Sequence, residues 1–137
     1  MRVLLIGDCN SIHIVNFLKV VFEKQKNIDI TLFDITNEVI TNMDALKYYQ
    51  EKKVKIVLNN GIEQHIKYKF LKKIPKLRVL IKIKILNKRI RDLGRFDYCI
   101  IHFVDIVKAK IVAKNYKNFR RIIPVFWGSD LLRNKKI

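Results

Sequence analysis

The sequence of 137 residues is poor in several features that define particular classes of protein. It has two cysteines, Cys9 and Cys99, which lie 90 positions apart and form no Cys-x-x-Cys pair. We therefore expect reduced thiols, with neither a disulfide framework nor a zinc site. No apolar run approaches the roughly 20 residues that a membrane span needs. The apolar stretch at the N-terminus is shorter than that of a signal peptide, and no cleavage site follows it. These two absences predict a cytoplasmic protein.

The sequence also lacks the signs of a disordered or multidomain chain. It contains no internal repeat and no low-complexity linker. Apolar residues make up 50% of the chain and aromatic residues 10%, which excludes a disordered protein. A chain of this length can bury a core of its own, so we expect a single domain over residues 1–137.

Acidic residues are few, with 12 Asp and Glu against 29 Lys and Arg, so the formal net charge is +17. Residues 47–95 hold sixteen basic and three acidic residues, a local net charge of +13. Such a positive field suits nucleic acid, an anionic membrane surface or an anionic substrate. An AT-rich genome is the competing explanation, because the chain is also rich in Ile and Asn.

The first 34 residues predict a strand, a glycine turn, a helix and a second strand. The strand expected at residues 2–6 is continuously apolar after Arg2, which is typical of a strand buried on both faces of a parallel sheet. After Gly7, either Asn10 or Ser11 is placed to cap a helix over residues 12–26. The second strand follows at residues 29–34, and this order is the beginning of a doubly wound α/β domain.

The middle of the chain is less regular. Residues 54–58 predict a third strand, and apolar residues at every fourth position from Ile62 predict a helix that stops near Pro75. Residues 76–93 contain both a strand-like alternation and a helical spacing. Eighteen residues is long for a strand, so we expect a helix there.

The last third predicts two more strands with a helix between them. The strands are expected at residues 97–103 and 121–126, although Pro124 removes a ladder donor from the second. The helix would present Val107, Ile111, Val112 and Tyr116 on its apolar face. The whole pattern predicts a Rossmann-like doubly wound parallel sheet of five strands in the order 3-2-1-4-5.

Ligands of open parallel sheets bind beyond the carboxyl ends of the strands. Three polar loops fall there, at residues 7–13, 102–105 and 127–130. The first enters a helix N-terminus, which favours a phosphate, but it matches neither the dinucleotide fingerprint nor a Walker loop. Its glycine could serve a tight turn alone, and His13 and His102 could be packing histidines. Cys9 has no identifiable base that would make it a nucleophile, and His65 lies in a basic amphipathic stretch.

Three segments resemble motifs of bacterial glycosyltransferases with the GT-B fold, in the retaining family called group 1 or family four. Gly-Asp-Cys-Asn-Ser-Ile-His at residues 7–13 is similar to that family's opening glycine loop. Asp-Tyr-Cys-Ile-Ile-His-Phe at residues 97–103 resembles its Asp-x-x-His-x-His-Phe strand, with Ile100 replacing the first histidine. Phe-Trp-Gly-Ser-Asp at residues 126–130 is the most specific match, although many relatives have histidine at the Trp127 position.

The resemblance implies the acceptor-side half of an enzyme with two Rossmann-like domains. The second domain, which binds the nucleotide-sugar donor and usually carries Glu-x7-Glu, has no counterpart in these residues, so we expect the chain alone to be inactive. The sugar would pass with retention to an acceptor hydroxyl, on a glycan or a lipid-linked sugar, without metal or cofactor other than the nucleotide sugar as co-substrate. The expected substrate-binding residues are Gly7, Asp8, Asn10, Ser11, His13, His102, Trp127, Gly128, Ser129 and Asp130.

A different class of function competes with this one. The basic middle segment predicts a polyanion-binding module without catalysis, for nucleic acid or an anionic membrane. From Lys52 to Arg95, only Tyr68 and Phe70 interleave the basic residues, and no nucleic-acid motif is present, so a specific nucleic acid is not expected. An enzyme lying peripherally on the inner face of the membrane would reconcile the charge with the resemblance, because the basic helices would dock on anionic lipid.

Overall fold

The computed structural model describes residues 1–59, 61–62 and 74–126. Strands and helices alternate along the chain, and a short 3₁₀ helix, Tyr116–Asn118, precedes the last strand. The strands are β1 (Arg2–Ile6), β2 (Asp29–Asp34), β3 (Lys55–Leu58), β4 (Phe96–His102) and β5 (Phe119–Val125). The helices are α1 (Ile12–Lys24), α2 (Met43–Glu51), α3 (Pro75–Leu93) and α4 (Ile106–Lys114).

The five strands form one parallel sheet in the order β3-β2-β1-β4-β5, which confirms the predicted topology. In the central strand, Leu4 lies opposite Thr31 of β2 on one side and Cys99 of β4 on the other. The chain leaves β1 toward β2 and later returns to add β4 on the opposite side. The gap between β1 and β4 is therefore the switch point, where open α/β sheets bind their ligands.

Helices cover both faces of the sheet, and the alternation of β1 divides the core accordingly. Val3 and Leu5 pack in a cluster with buried residues of α1 and α2, including Leu18 and Tyr49. Leu4 and Ile6 pack on the other face with buried residues of α3 and α4. Because both faces of β1 are buried from Val3 to Ile6, these four residues are all apolar rather than alternating.

The predicted helix over residues 76–93 is confirmed by α3, which begins with Pro75 and ends before Gly94. Proline is well suited to the first helical turn because its missing N–H would be unpaired there. Gly94 has φ +89°, a conformation that favours glycine. The helix predicted from Ile62 to Pro75 falls mainly on residues outside the described ranges.

Pro124 fits its strand because β5 is an edge of the described sheet. The carbonyl of Val125 accepts a hydrogen bond from Phe103 N at 3.3 Å, so Val125 faces β4. Neighbouring residues of a strand point their polar groups in opposite directions, and the nitrogen of Pro124 therefore faces away from β4. The missing donor costs no ladder hydrogen bond.

Helix α2 is absent from the sequence-based prediction. It has nine residues, of which only Ala45 and Tyr49 are buried, and two buried positions are too few to show a helical spacing in the sequence. The structure stabilises its start through Asn42, whose side-chain oxygen accepts a hydrogen bond from Ala45 N at 3.1 Å. Its buried Tyr49 donates from Oη to the carbonyl of Cys9 at 2.8 Å, which ties α2 to the loop after β1. Among the described helices, none has the length and apolarity to cross a bilayer.

Candidate functional site

An open pocket of about 510 Å³ lies at the switch point, where the loops that follow β1, β2 and β4 converge. The carboxyl ends of parallel strands share one edge of the sheet, so the topology itself brings these loops together. The lining combines hydroxyl, carboxylate, imidazole, ammonium and phenyl groups, contributed by Asp8, Ser11, His13, Thr36, His102, Phe103, Asp105 and Lys108.

Gly7 allows α1 and β4 to approach each other beneath this pocket. A Cβ atom at Gly7 would lie 2.6 Å from Cδ1 of Ile14 and 3.3 Å from Cβ of His102. Ile14 is fully buried and has little room to move. The glycine is therefore required by close packing against α1 and β4, and its backbone does not adopt the left-handed conformation that favours glycine in turns.

Gly7→Ala should lower the free energy of unfolding by about 1–2 kcal/mol, because the added methyl group overpacks the core. Ile14→Val removes the Cδ1 atom that the methyl would meet. The Gly7→Ala change should therefore cost less in the Ile14→Val background than in the wild type, by about 1 kcal/mol. Urea unfolding of the four proteins measures this coupling. Additive effects would show that the glycine is needed for another reason.

Asp34, at the end of β2, organises the loops on this side of the pocket. Its buried carboxylate accepts hydrogen bonds from Cys9 N at 2.7 Å, Thr36 N at 2.7 Å, Asn37 N at 2.9 Å and Asn37 Nδ2 at 2.9 Å. Burial by itself raises the pKa of Asp34, but hydrogen bonds from Cys9 and Asn37 outweigh it and the net pKa is lowered. The carboxylate is thus ionised at neutral pH and fixes the loops after β1 and β2 together.

The same hydrogen bonds argue against a metal in this cluster. One possible ligand atom from each of Asp8, Cys9 and Asp34 lies within 4.8 Å of the others. However, N–H donors already surround the carboxylate of Asp34. Burial, together with Asp34, raises the pKa of the Cys9 thiol well above its ordinary value, so a thiolate is disfavoured. Asn37 Nδ2 donates to both Asp8 and Asp34 and joins them in a structural hydrogen-bonded cluster, and the raised pKa also disfavours Cys9 as a nucleophile.

Asn10 connects two loops instead of lining the pocket. Its side-chain oxygen accepts hydrogen bonds from Thr41 N at 2.8 Å and Asn42 N at 3.2 Å, and its Nδ2 donates to the carbonyl of Val39 at 3.2 Å. Of the two predicted caps of α1, the structure has Ser11, whose Oγ accepts a hydrogen bond from His13 N at 3.2 Å. The structure therefore gives Asn10 a supporting position, while Ser11 both caps α1 and faces the pocket.

Asp8 lies in the pocket wall and is held by its neighbours. Its Oδ1 accepts hydrogen bonds from Asn37 Nδ2 at 2.6 Å and Asn10 N at 2.9 Å. Its carbonyl accepts from Ser11 N at 3.1 Å. These bonds fix the carboxylate at the pocket wall, so it is positioned before any ligand arrives.

The opposite wall depends on Lys108, which the sequence analysis did not identify as a site residue. Its ammonium donates to the carbonyls of His102 at 3.2 Å and Phe103 at 2.8 Å. It also lies 3.7 Å from Oδ2 of Asp105, whose Oδ1 caps α4 by accepting from Lys108 N at 2.9 Å. A single buried lysine therefore binds the end of β4 to the start of α4.

This lysine also holds an unusual backbone conformation. Phe103 has φ +62°, in the left-handed region that bulky residues rarely adopt. The bonds from Lys108 to its carbonyl and from Phe103 N to Val125 O oppose that strain. The conformation places the partly exposed phenyl ring of Phe103 in the pocket wall.

The two predicted histidines occupy different positions. His13 is exposed in the first turn of α1 and lines the pocket from that side. His102 is buried at the end of β4, and its ring centroid lies 6.1 Å from that of Phe17. His13 is therefore placed to touch a ligand, whereas His102 mainly supports the floor of the pocket.

The structure thus brings together four of the predicted residues, Asp8, Ser11, His13 and His102, with Gly7 directly beneath them. Trp127, Gly128, Ser129 and Asp130 lie outside the described residues. Sequence reasoning missed Thr36 because it did not consider the loop after β2. It missed Lys108 although a signal was present, since this lysine falls on the same helical face as the buried Ile111 and Val112.

Searches of family models, curated proteins and solved structures each found no match to this chain. The glycosyltransferase resemblance therefore remains a prediction from the three sequence motifs, two of which border the pocket.

Proposed function

We propose that this chain is the acceptor-side domain of a retaining GT-B glycosyltransferase, which transfers a sugar from a nucleotide sugar to an acceptor hydroxyl. The observation that carries the proposal is the pocket at the β1/β4 switch point. The predicted residues Asp8, Ser11, His13 and His102 line it, although they come from two segments about 90 positions apart in the sequence.

The chemistry of the pocket suits a polyhydroxyl ligand. Asp8 and Asp105 offer carboxylate acceptors, and Ser11 and Thr36 offer hydroxyls that both donate and accept. The lining is not strongly basic, because the ammonium of Lys108 is directed at two backbone carbonyls and Asp105. A neutral sugar with several hydroxyls can pair with this set, whereas an isolated diphosphate would meet two carboxylates.

The proposed roles follow from these positions. The Gly7 loop would lie beside the attacking acceptor and the donor diphosphate, where the positive end of the α1 dipole would favour the developing negative charge. His13 would contact the acceptor, and His102 would hold the pocket floor. In this architecture the nucleotide sugar is bound by a separate domain, and Asp130 would help line the cleft between them.

The division of labour between the domains is tested by calorimetry with a panel of nucleotide sugars. Because the donor site belongs to the other domain, this chain should show no micromolar binding to any of them and no sugar transfer. A glycoside panel serves as the comparison, since acceptor-type sugars should bind measurably. Micromolar affinity for a nucleotide sugar would show that this domain is the donor half instead.

The alternative is a polyanion-binding module without catalysis, and the observation that favours it is the charge of α3. This helix has seven basic residues and one acidic residue, Asp92. The two functions make different predictions for the pocket. His13→Ala should weaken glycoside binding if the pocket binds acceptors, and it should change nothing measurable if the chain acts only through its basic surface.

A further inference from the structure

Helix α3 is longer than the sheet on which it packs. Its 19 residues correspond to about 28 Å, whereas the five residues of β1 span about 17 Å. The carboxyl end of α3 is anchored at the amino edge of the sheet, where Arg2 donates to the carbonyls of Leu93 at 3.3 Å and Arg95 at 2.8 Å. The other end must therefore project beyond the carboxyl edge.

Burial along the helix agrees with this geometry. Ile83 is the first buried residue of α3, and residues 74–80 are all exposed. We call residues 74–84 the α3 overhang. Helices that cross between parallel strands run antiparallel to them, so the α3 overhang lies at the same edge of the sheet as the pocket.

The α3 overhang combines exposed aliphatic side chains with positive charge. Leu77 is 38% exposed and Leu80 is 56% exposed, and these values are high for leucines in neighbouring turns of one helix. Four cations lie among the aliphatic residues, and the first acidic residue of α3 is Asp92. The cations are Lys76, Arg78, Lys82 and Lys84, and the exposed aliphatic residues are Ile74, Leu77, Val79 and Leu80.

We propose that the α3 overhang docks on an anionic lipid bilayer. Cationic side chains meet anionic headgroups, and leucine, isoleucine and valine side chains enter the boundary of the acyl chains. Each Lys or Arg close to an anionic leaflet raises partitioning about fivefold, which gives the four cations a large combined effect. The apolar residues make a second contribution to partitioning onto the membrane, and this contribution does not depend on salt.

The composition of α3 favours lipid over nucleic acid. The helix has no aromatic residue on which a base could stack. Exposed leucines gain nothing beside a phosphate backbone, but they gain from leaving water in a membrane interface. The exposed aliphatic side chains are thus the observation that separates the two polyanions.

Docking at this edge would bring the pocket close to the membrane surface. Together with the proposed function, on which this step rests, docking at this edge implies that the acceptor sugar is carried on a lipid. The docking itself rests only on α3, and the pocket variant His13→Ala should bind vesicles like the wild type. Failure of the transferase assignment would therefore leave the vesicle result unchanged.

Vesicle co-sedimentation tests the proposal, with phosphatidylglycerol mixed into phosphatidylcholine and with phosphatidylcholine alone. The chain should bind the anionic vesicles, and added salt should weaken the binding. Lys76→Gln with Lys84→Gln should reduce binding about 25-fold, from the loss of two cations. Leu77→Ser with Leu80→Ser should reduce it at least tenfold at constant net charge.

The matched controls carry the same changes elsewhere. Lys114→Gln with Lys117→Gln removes two exposed cations from the other end of the fold, and Val20→Ser removes an exposed aliphatic side chain of α1. Both should bind vesicles within about twofold of the wild type, because neither alters the α3 overhang. Thermal melts establish whether each variant is folded. If the Leu77→Ser, Leu80→Ser variant is unfolded, the Lys76→Gln, Lys84→Gln variant still tests the proposal.

Three results would overturn the proposal. An equal loss in the Lys114→Gln, Lys117→Gln control would show that net charge alone drives binding. Duplex DNA binding that is as tight as vesicle binding and depends on the same variants would identify a nucleic acid partner. Concentration-dependent self-association that disappears in the leucine pair would show that a second copy of the chain covers this surface.

Discussion

Asp34→Asn should lower the free energy of unfolding by about 4 kcal/mol, because the carboxylate is buried and serves several donors at once. Four N–H groups, from Cys9, Thr36 and Asn37, point at its two oxygens. An amide keeps only one acceptor oxygen and turns its own NH₂ toward these donors. The substitution should therefore loosen the loops after β1 and β2 together.

The matched control is Asp29→Asn, at the other end of the same strand. Asp29 forms an exposed ion pair with Lys55 at 3.5 Å, and such pairs contribute little. Its loss should change the free energy of unfolding by less than about 0.5 kcal/mol, as measured by urea denaturation. Similar costs at the two aspartates would contradict the central position given to Asp34.

Unfolding at acid pH should show how much the ionised carboxylate of Asp34 contributes to stability. The pKa of Asp34 is lowered in the folded protein, so its ionised form stabilises the fold at pH values above the unfolded pKa of about 3.9. That contribution is lost as the pH falls through the lower, folded pKa. Asp34→Asn should therefore flatten the decline in stability below about pH 4, relative to the wild type.

Lys108→Met should cost about 3 kcal/mol, the second largest effect that we expect from a single substitution. Methionine approximates the length of lysine, but it leaves the carbonyls of His102 and Phe103 without the ammonium that they accept from. The left-handed conformation of Phe103 also loses one of its two supporting hydrogen bonds. We expect the end of β4 to rearrange.

Lys110→Met provides the control, because Lys110 lies on the same helix and is exposed. Its effect should stay within about 0.5 kcal/mol, and equilibrium unfolding distinguishes the two variants. Amide exchange adds a local measurement, since Phe103 N should lose protection in Lys108→Met alone. Unchanged protection there would show that Lys108 does not hold the β4 loop.

The fold was predictable because its signals are local and strong. Mostly apolar runs without strict alternation, such as residues 2–6 and 29–34, predict buried parallel strands, and the helical spacing over 76–93 predicts α3. Boundaries shifted by one or two residues, as in β4 and β5, because hydrogen bonding across strands determines where a strand ends. Helix α2 escaped prediction because contacts distant in sequence support it: Tyr49 donates to the carbonyl of Cys9, and Asn42 is hydrogen-bonded to Asn10.

The candidate site was predictable only in part. The rule that loops gather at the carboxyl edge placed Asp8, Ser11, His13 and His102 together, and this is a consequence of topology. Which side chains face the pocket depends on hydrogen bonds between loops, and these cannot be deduced from spacing. Asn10 bonds to residues 39–42 and leaves the pocket, whereas Lys108 turns back to two carbonyls and enters its wall.

The most direct test of the central claim is a nuclear magnetic resonance titration of the labelled chain with a panel of glycosides. We expect amide shifts for residues 7–13, 36 and 102–108, and an affinity that His13→Ala lowers about tenfold. The exposed Asn16→Ala, one turn along α1 outside the pocket wall, serves as the control and should bind like the wild type. Shifts confined to α3, or an affinity unaffected by His13→Ala, would contradict the assignment of this pocket as an acceptor site.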